Sequence, residues 1–150
     1  MNIHEKSTTE LDKILNQTDT SGLDAYLSEN TLKKHETADE LLSAHIEATG
    51  QKKKDVIARA GLSEQYGYQL LNGSKTTSDR DKLLGLCIAA GLSIKQTDRV
   101  LKISKFSPLY SKIDRDAVIM LCMNHGIQNV IGVNEELEKR GIEILNLKES

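Results

Sequence analysis

The segment Gln51–Lys82, QKKKDVIARAGLSEQYGYQLLNGSKTTSDRDK, decides the reading of the whole chain. It reads as two short helices, 52–60 and 63–72, joined by a tight Ala60-Gly61-Leu62-Ser63 turn. Val56 and Ala60 supply an apolar face, Gly61 makes the turn, Leu62 anchors it, and Ser63 is placed to cap the second helix. Leu70 and Leu71 continue the apolar face until Asn72-Gly73 stops it. The opposite face of that second helix is polar. Counting from the Ser63 cap, Ser63, Glu64, Gln65, Tyr68, Gln69 and Asn72 lie along it, with the two glutamine amides four residues apart and aimed the same way. A helix that starts after a glycine turn and presents such side chains has the form of a major-groove reader. A Gln amide pairs bidentately with adenine N6 and N7, Glu64 can accept from a cytosine amine, and Tyr68 can meet a thymine methyl or a phosphate.

The segment resembles the helix-turn-helix of the phage-repressor (Xre/Cro-like) family of bacterial transcription regulators. Gly61 and Gly73 stand at the family's two glycine positions, and Val56, Ala60, Leu62 and Leu70 fall on its hydrophobic positions. The likeness covers about a third of the chain closely, and Asp79 to Gly91 would supply the helix that usually follows. Downstream, LYSK (109–112) and DRDA (114–117) are similar to phrases in small Gram-positive bacterial proteins of this type. The resemblance implies an all-α, lambda-repressor-like bundle that binds double-stranded DNA as a homodimer and regulates transcription. It places Gln65 and Gln69 where the family reads bases, and Lys53 and Lys54 where it touches phosphates. Lys75 and Thr76, with Lys52 and Ser78, flank the reading helix as backbone clamps, which fix register without reading sequence.

Two residues depart from the family pattern together. Ile57 stands where the family usually has a small residue, and Gly67 where it usually has a buried β-branched aliphatic. The two positions face each other, so the large and small partners are exchanged, and volume-conserving exchanges are the best tolerated in a core. Gly67 still costs roughly 0.5–1 kcal/mol of helix propensity relative to Ala.

Charge is distributed unevenly along the chain. The formal net charge is −2, which argues against indiscriminate binding to nucleic acid. Residues 1–50 hold four Lys against ten Asp/Glu, a net of −6, whereas residues 51–82 hold seven Lys/Arg against four acids, a net of +3. The basic stretch coincides with the paired helices, where phosphates would approach. With 150 residues, one Pro, no Trp and recurrent 3.6-residue apolar spacing, the chain reads as all-α. The polar N-terminus lacks the apolar core of a signal peptide and no run has the length of a membrane span, so a cytoplasmic protein without membrane contact is expected. Cys87 and Cys122 lie in apolar helical runs and read as reduced, buried thiols.

Outside the central segment, the chain divides into an acidic N-terminal extension (1–36), a helix-turn-helix domain (37–91) and a C-terminal helical segment (92–150) packed with it. In the extension, Ser7 with Glu10 suggests a capping box, and Leu23, Tyr26 and Leu27 form a second short stripe, a candidate acidic docking arm for a protein partner. Thr37 with Glu40 suggests another capping box, opening a helix to Thr49 with Ala38, Leu41, Leu42, Ala44, His45 and Ile46 inward. An internal repeat follows. DRDKLLGLCIAAG (79–91) matches DRDAVIMLCMNHG (114–126) at six of thirteen positions, more than chance gives. Each copy precedes a second helix, Ile94 to Ile103 and Val130 to Arg140, so residues 79–140 read as two related helical hairpins joined through Phe106–Tyr110. The Asp-Arg-Asp triplets sit at helix starts as caps and dipole partners. Val118, Ile119, Leu121, Val130, Ile131, Val133 and Leu137 offer either a dimer surface or the domain core. Ile142, Ile144, Leu145 and Leu147 form an apolar tail that either crosses to a second subunit or folds back.

No metal-ligand spacing, nucleophile triad or phosphate loop is present, so neither an enzyme nor a cofactor is expected. The reading is a sequence-specific DNA-binding regulator. The alternative is a protein-interaction module, adaptor or antitoxin-like, that keeps the fold without binding DNA; the acidic N-terminal half, a pI near 6.1 and the Ile57/Gly67 departure favour it.

Overall fold

The computed structural model describes residues 36–149, which hold seven helices and no strand. The helices are α1 (Ala38–Ala48), α2 (Lys53–Ala60), α3 (Glu64–Asn72), α4 (Arg80–Ala90), α5 (Ile94–Ile103), α6 (Asp114–Asn124) and α7 (Val130–Lys139). The described residues are all-α, as the apolar spacing predicts. The expected features at Ser7, Glu10, Leu23, Tyr26 and Leu27 lie outside the described residues.

Helix α4 is the hub of the unit that begins at Thr37. Its LLGLCIAA run is apolar on every side, and a helix without a polar face must be covered on every side. Each residue from Lys82 to Ala90 is buried, and α4 packs against α1, α2, α5 and α7. Lys82 reaches out of this environment to Asp79 at 2.9 Å, so its ammonium stays paired while its stem is covered. By contrast α6 packs against α7 and buries Asp116, Val118, Ile119 and Cys122. Leu86 of α4 is 1% exposed and its counterpart in the repeated stretch, Leu121, is 48% exposed.

Contacts in the second half recur at a constant spacing. Asp98 Oδ1 accepts the Leu109 N–H at 2.8 Å, and 36 residues on Asn134 Oδ1 accepts the Leu145 N–H at 2.8 Å. Ser93 and Asn129, also 36 apart, both cap the second helix of their pair. The Asp-Arg-Asp starts cross over. Arg80 binds Asp116 through both carboxylate oxygens at 3.1 and 3.0 Å and donates to the Ser107 and Pro108 carbonyls. Arg115 binds Asp81 through both oxygens at 2.8 Å and donates to the Glu143 and Ile144 carbonyls. Asp116 also accepts the Tyr110 N–H, and Asp81 the Asn146 N–H. The exchange is reciprocal: the arginine of each triplet takes an aspartate of the other.

The crossing revises the expected role of these triplets. Asp79 does cap α4, accepting the Asp81 N–H at 3.0 Å. Asp114 does not cap α6: the cap position is Ile113, which has no side-chain acceptor to offer. The remaining charges form two bidentate ion pairs, the geometry in which guanidinium and carboxylate match best. Burial would raise Asp81, but the Arg115 fork and the Asn146 N–H outweigh it and hold the carboxyl below its ordinary value. The expected Thr37–Glu40 capping box is absent as well. Thr37 has extended backbone but makes no side-chain cap bond, and α1 starts on its Thr37 carbonyl alone.

Most of the candidate dimer surface is interior. Ile119, Val130, Val133 and Leu137 are at most 5% exposed and Val118 is 9%, leaving Leu121 and Ile131 outward. Pairing α6 with α7 consumes the rest. The tail folds back: Leu145 and Leu147 are buried, and Leu147 fills the space left by the missing side chain of Gly85. Cys87 and Cys122 are both buried free thiols, and burial pushes Cys87 up to about 12.

Candidate nucleic-acid interface

The α2–turn–α3 pair is shaped by a few local choices. Helix α2 ends in a Schellman turn, with the Gly61 N–H on the Ala58 carbonyl and the Leu62 N–H on that of Ile57. Gly61 adopts φ 80°, a left-handed conformation that costs glycine nothing. Leu62 then plugs the core, and Ser63 turns the chain with extended backbone and accepts the Tyr66 N–H at 3.3 Å. Helix α3 buries Gly67, Leu70 and Leu71 against α1 and α2, and Ser43 of α1 donates to the Leu71 carbonyl at 2.7 Å.

Ile57 and Gly67 meet as the exchanged pair. A Cβ added at Gly67 would run into Ile57 Cγ2 and lie 2.6 Å from Cγ1. Ile57 fills the space that a side chain at 67 would take, and α3 approaches α2 more closely than such a side chain would permit.

Opposite that packed face, the predicted site residues are all outward. Ser63, Glu64, Gln65, Tyr68 and Asn72 are exposed and Gln69 is half-buried. At the start of α2, Lys54 is exposed and Lys53 half-buried; past α3, Lys75 and Thr76 are exposed. Their helical spacing places Gln65, Tyr68, Gln69 and Asn72 on one stripe of α3. Among the described residues, the side chains of Lys53, Lys54, Glu64, Gln65, Tyr68, Gln69 and Thr76 take no hydrogen bond or ion pair. Asn72 instead bonds its own turn, accepting the Ser74 N–H at 2.8 Å. That bond leaves its amide nitrogen to donate outward.

Two contacts at this face were not legible in the sequence. Lys75 Nζ lies 6.0 Å from the centre of the Tyr66 ring, so this lysine is tethered beside α3 by a cation–π contact rather than swinging free. Ser63 Oγ donates to the Glu149 carboxylate, which arrives from the far end of the described chain. Only the Gly73-Ser74 turn between Tyr66 and Lys75 hints at the first. Nothing in the sequence points to the second, which joins residues 86 apart.

The larger concave surface lies elsewhere. A shallow cleft of about 860 Å³ runs between the α1–α2 junction, the end of α4 and the start of α7, lined by Gln51, Lys52, Arg59, Gln128 and Glu135 among others. Three of these side chains are already at work. Arg59 donates to the Ala89 carbonyl and to Gln51, Gln51 to the Ala90 carbonyl, and Gln128 to the Ala89 carbonyl and to Gln51. They satisfy the last carbonyls of α4, which have no intrahelical donor. Among the described residues no cluster of His, Cys, Asp or Glu is placed to hold a metal, and no helix is long and apolar enough to cross a membrane. No family model, curated protein or solved structure matches this chain.

Proposed function

We propose that this protein is a sequence-specific, double-stranded-DNA-binding transcriptional regulator. In this reading α2 and α3 form a helix-turn-helix of the phage-repressor kind within a bundle completed by α1 and α4, and α4–α7 are a duplicated helical hairpin. The observation that carries it is the uncommitted polar face of α3. Arg80, Asp81, Arg115 and Asp116 of the second half pair with one another, whereas Gln65, Tyr68 and Gln69 lie on one stripe of α3 without a side-chain hydrogen bond among the described residues. Gln65 and Gln69 would read adenines in the major groove, with Glu64 and Tyr68 adding base or methyl contacts. Lys53, Lys54, Lys75 and Thr76 would hold phosphates, and Ser63 and Asn72 would frame the two ends of the reader.

One such helix spans only a few base pairs, so useful selectivity calls for two copies on paired half-sites. With most of the C-terminal apolar residues interior, Leu121, Ile131 and Ile144, with Tyr110 and Ile113, are the large apolar side chains still exposed there for a homodimer contact. Selection of bound sequences from a random duplex pool, followed by a salt titration on the winner, tests the reading. One enriched motif with affinity falling steeply in salt supports it, and inverted half-sites add the dimer. No enrichment at low salt rejects it in favour of a protein-interaction module on the same fold.

A further inference from the structure

We propose that residues 141–149 form an autoinhibitory strap, whose Glu149 carboxylate occupies the place of a DNA phosphate at the start of α3. The inference rests on the DNA-reading assignment of α3 and concerns the regulation of that same face. The strap is anchored along most of its length. Arg115 holds the Glu143 and Ile144 carbonyls, the Asn134 amide brackets Leu145 on both its N–H and its carbonyl, and Asp81 takes the Asn146 N–H. Leu145 and Leu147 are buried, the latter over Gly85. Past Leu147 the described residues Lys148 and Glu149 are both exposed, so Glu149 is delivered by a fixed base to one position.

That position is chemically specific. Ser63 Oγ accepts the Tyr66 N–H and has one proton to give, and the proton goes to Glu149. The first N–H groups of a helix lack intrahelical partners and carry partial positive charge, so they draw an anion. A carboxylate and a phosphate oxygen compete for the same donors there. With Glu149 seated, the Ser63 hydroxyl has no proton left for a DNA phosphate, and a second negative charge joins Glu64 where the phosphate backbone would approach. Duplex binding must lift this arm, and lifting it breaks one exposed contact while Leu147 and Asn146 keep the base of the strap in place.

The test compares the full-length wild-type chain with Glu149→Ala, Glu149→Gln and Glu149→Lys, using wild type and Glu149→Ala each as bait in the duplex selection. Glu149→Ala is expected to bind the selected duplex roughly three- to tenfold tighter, Glu149→Lys tighter still and Glu149→Gln between wild type and Ala. All four should select the same motif and melt within about 2 °C of one another, because an exposed contact adds little stability. Selection that succeeds only with the Ala bait is the strongest support. Equal or weaker binding by Glu149→Ala, with wild type binding its motif, overturns the strap and leaves the reading helix intact. Failure of every variant to enrich any sequence removes both.

Discussion

The two halves of the described chain treat their polar residues in opposite ways. In α4–α7, Arg80, Asp81, Asp98, Arg115, Asp116 and Asn134 are all spent on internal bonds, several of them bidentate or doubled. In α2–α3, Lys53, Lys54, Glu64, Gln65 and Gln69 have no side-chain hydrogen bond or ion pair among the described residues, while the inner face is closed by Ile57, Leu62, Leu70 and Leu71. Groups satisfied internally specify a fold, because leaving them unpaired after burial costs more than pairing them returns. Groups left outward at helical spacing are available to a partner. The contrast separates groups that hold the shape of the molecule from groups left open to a partner.

Substitutions can break this contrast on either side. The largest effect is expected at Asp116, whose side chain is 3% exposed and answers both Arg80 and the Tyr110 N–H. Asp116→Ala leaves Arg80 with the Ser107 and Pro108 carbonyls alone and removes the acceptor of the Tyr110 N–H, and should cost about 3 kcal/mol of folding free energy, read by denaturant melts. Next is Gly67→Val, which inserts a branched side chain against Ile57 and should cost about 1–3 kcal/mol by overpacking. Adding Ile57→Ala should recover most of that loss, so the pair is strongly non-additive in a double-mutant cycle.

A smaller effect is expected at Asp81. Its carboxyl is held below the ordinary value of 3.8, so the folded state favours the ionised form. The stabilisation is therefore complete above the unfolded-state value near pH 4 and is lost as pH falls through the lower folded value. Asp81→Asn should lower stability at neutral pH by about 1 kcal/mol and flatten the loss of stability below pH 4, measured by melting temperature against pH. The smallest effect belongs to the reader's lysines. Lys53→Ala and Lys54→Ala should each reduce the slope of log affinity against log salt by about 1, with unchanged melting and unchanged motif.

Local rules made most of the fold legible. Gly61, Gly73 and Gly91 mark helix ends in the sequence and take positive φ in the structure, and each helix expected among the described residues forms within a residue or two of its expected bounds. The Ile57–Gly67 exchange was also readable, because both positions belong to one short motif. What could not be read is long-range. The Asp-Arg-Asp triplets have an adequate local explanation as caps, and nothing within either triplet says that its arginine crosses to an aspartate about 35 residues away. Thr37 shows the reverse failure, a sequence signature without the bond. Burial of Val130, Val133 and Leu137 depends on which helix meets which, and periodicity marks a face as apolar without naming its neighbour.

The most direct test of the account is duplex affinity of Gln65→Ala/Gln69→Ala against wild type at one fixed salt concentration, on the duplex that wild type selects. The account predicts a loss of roughly 30- to 300-fold on that sequence, near-equal residual binding to unrelated duplexes, and an unchanged melting temperature. Undiminished binding to the selected sequence by a folded double variant would contradict the assignment of α3 as the reading helix.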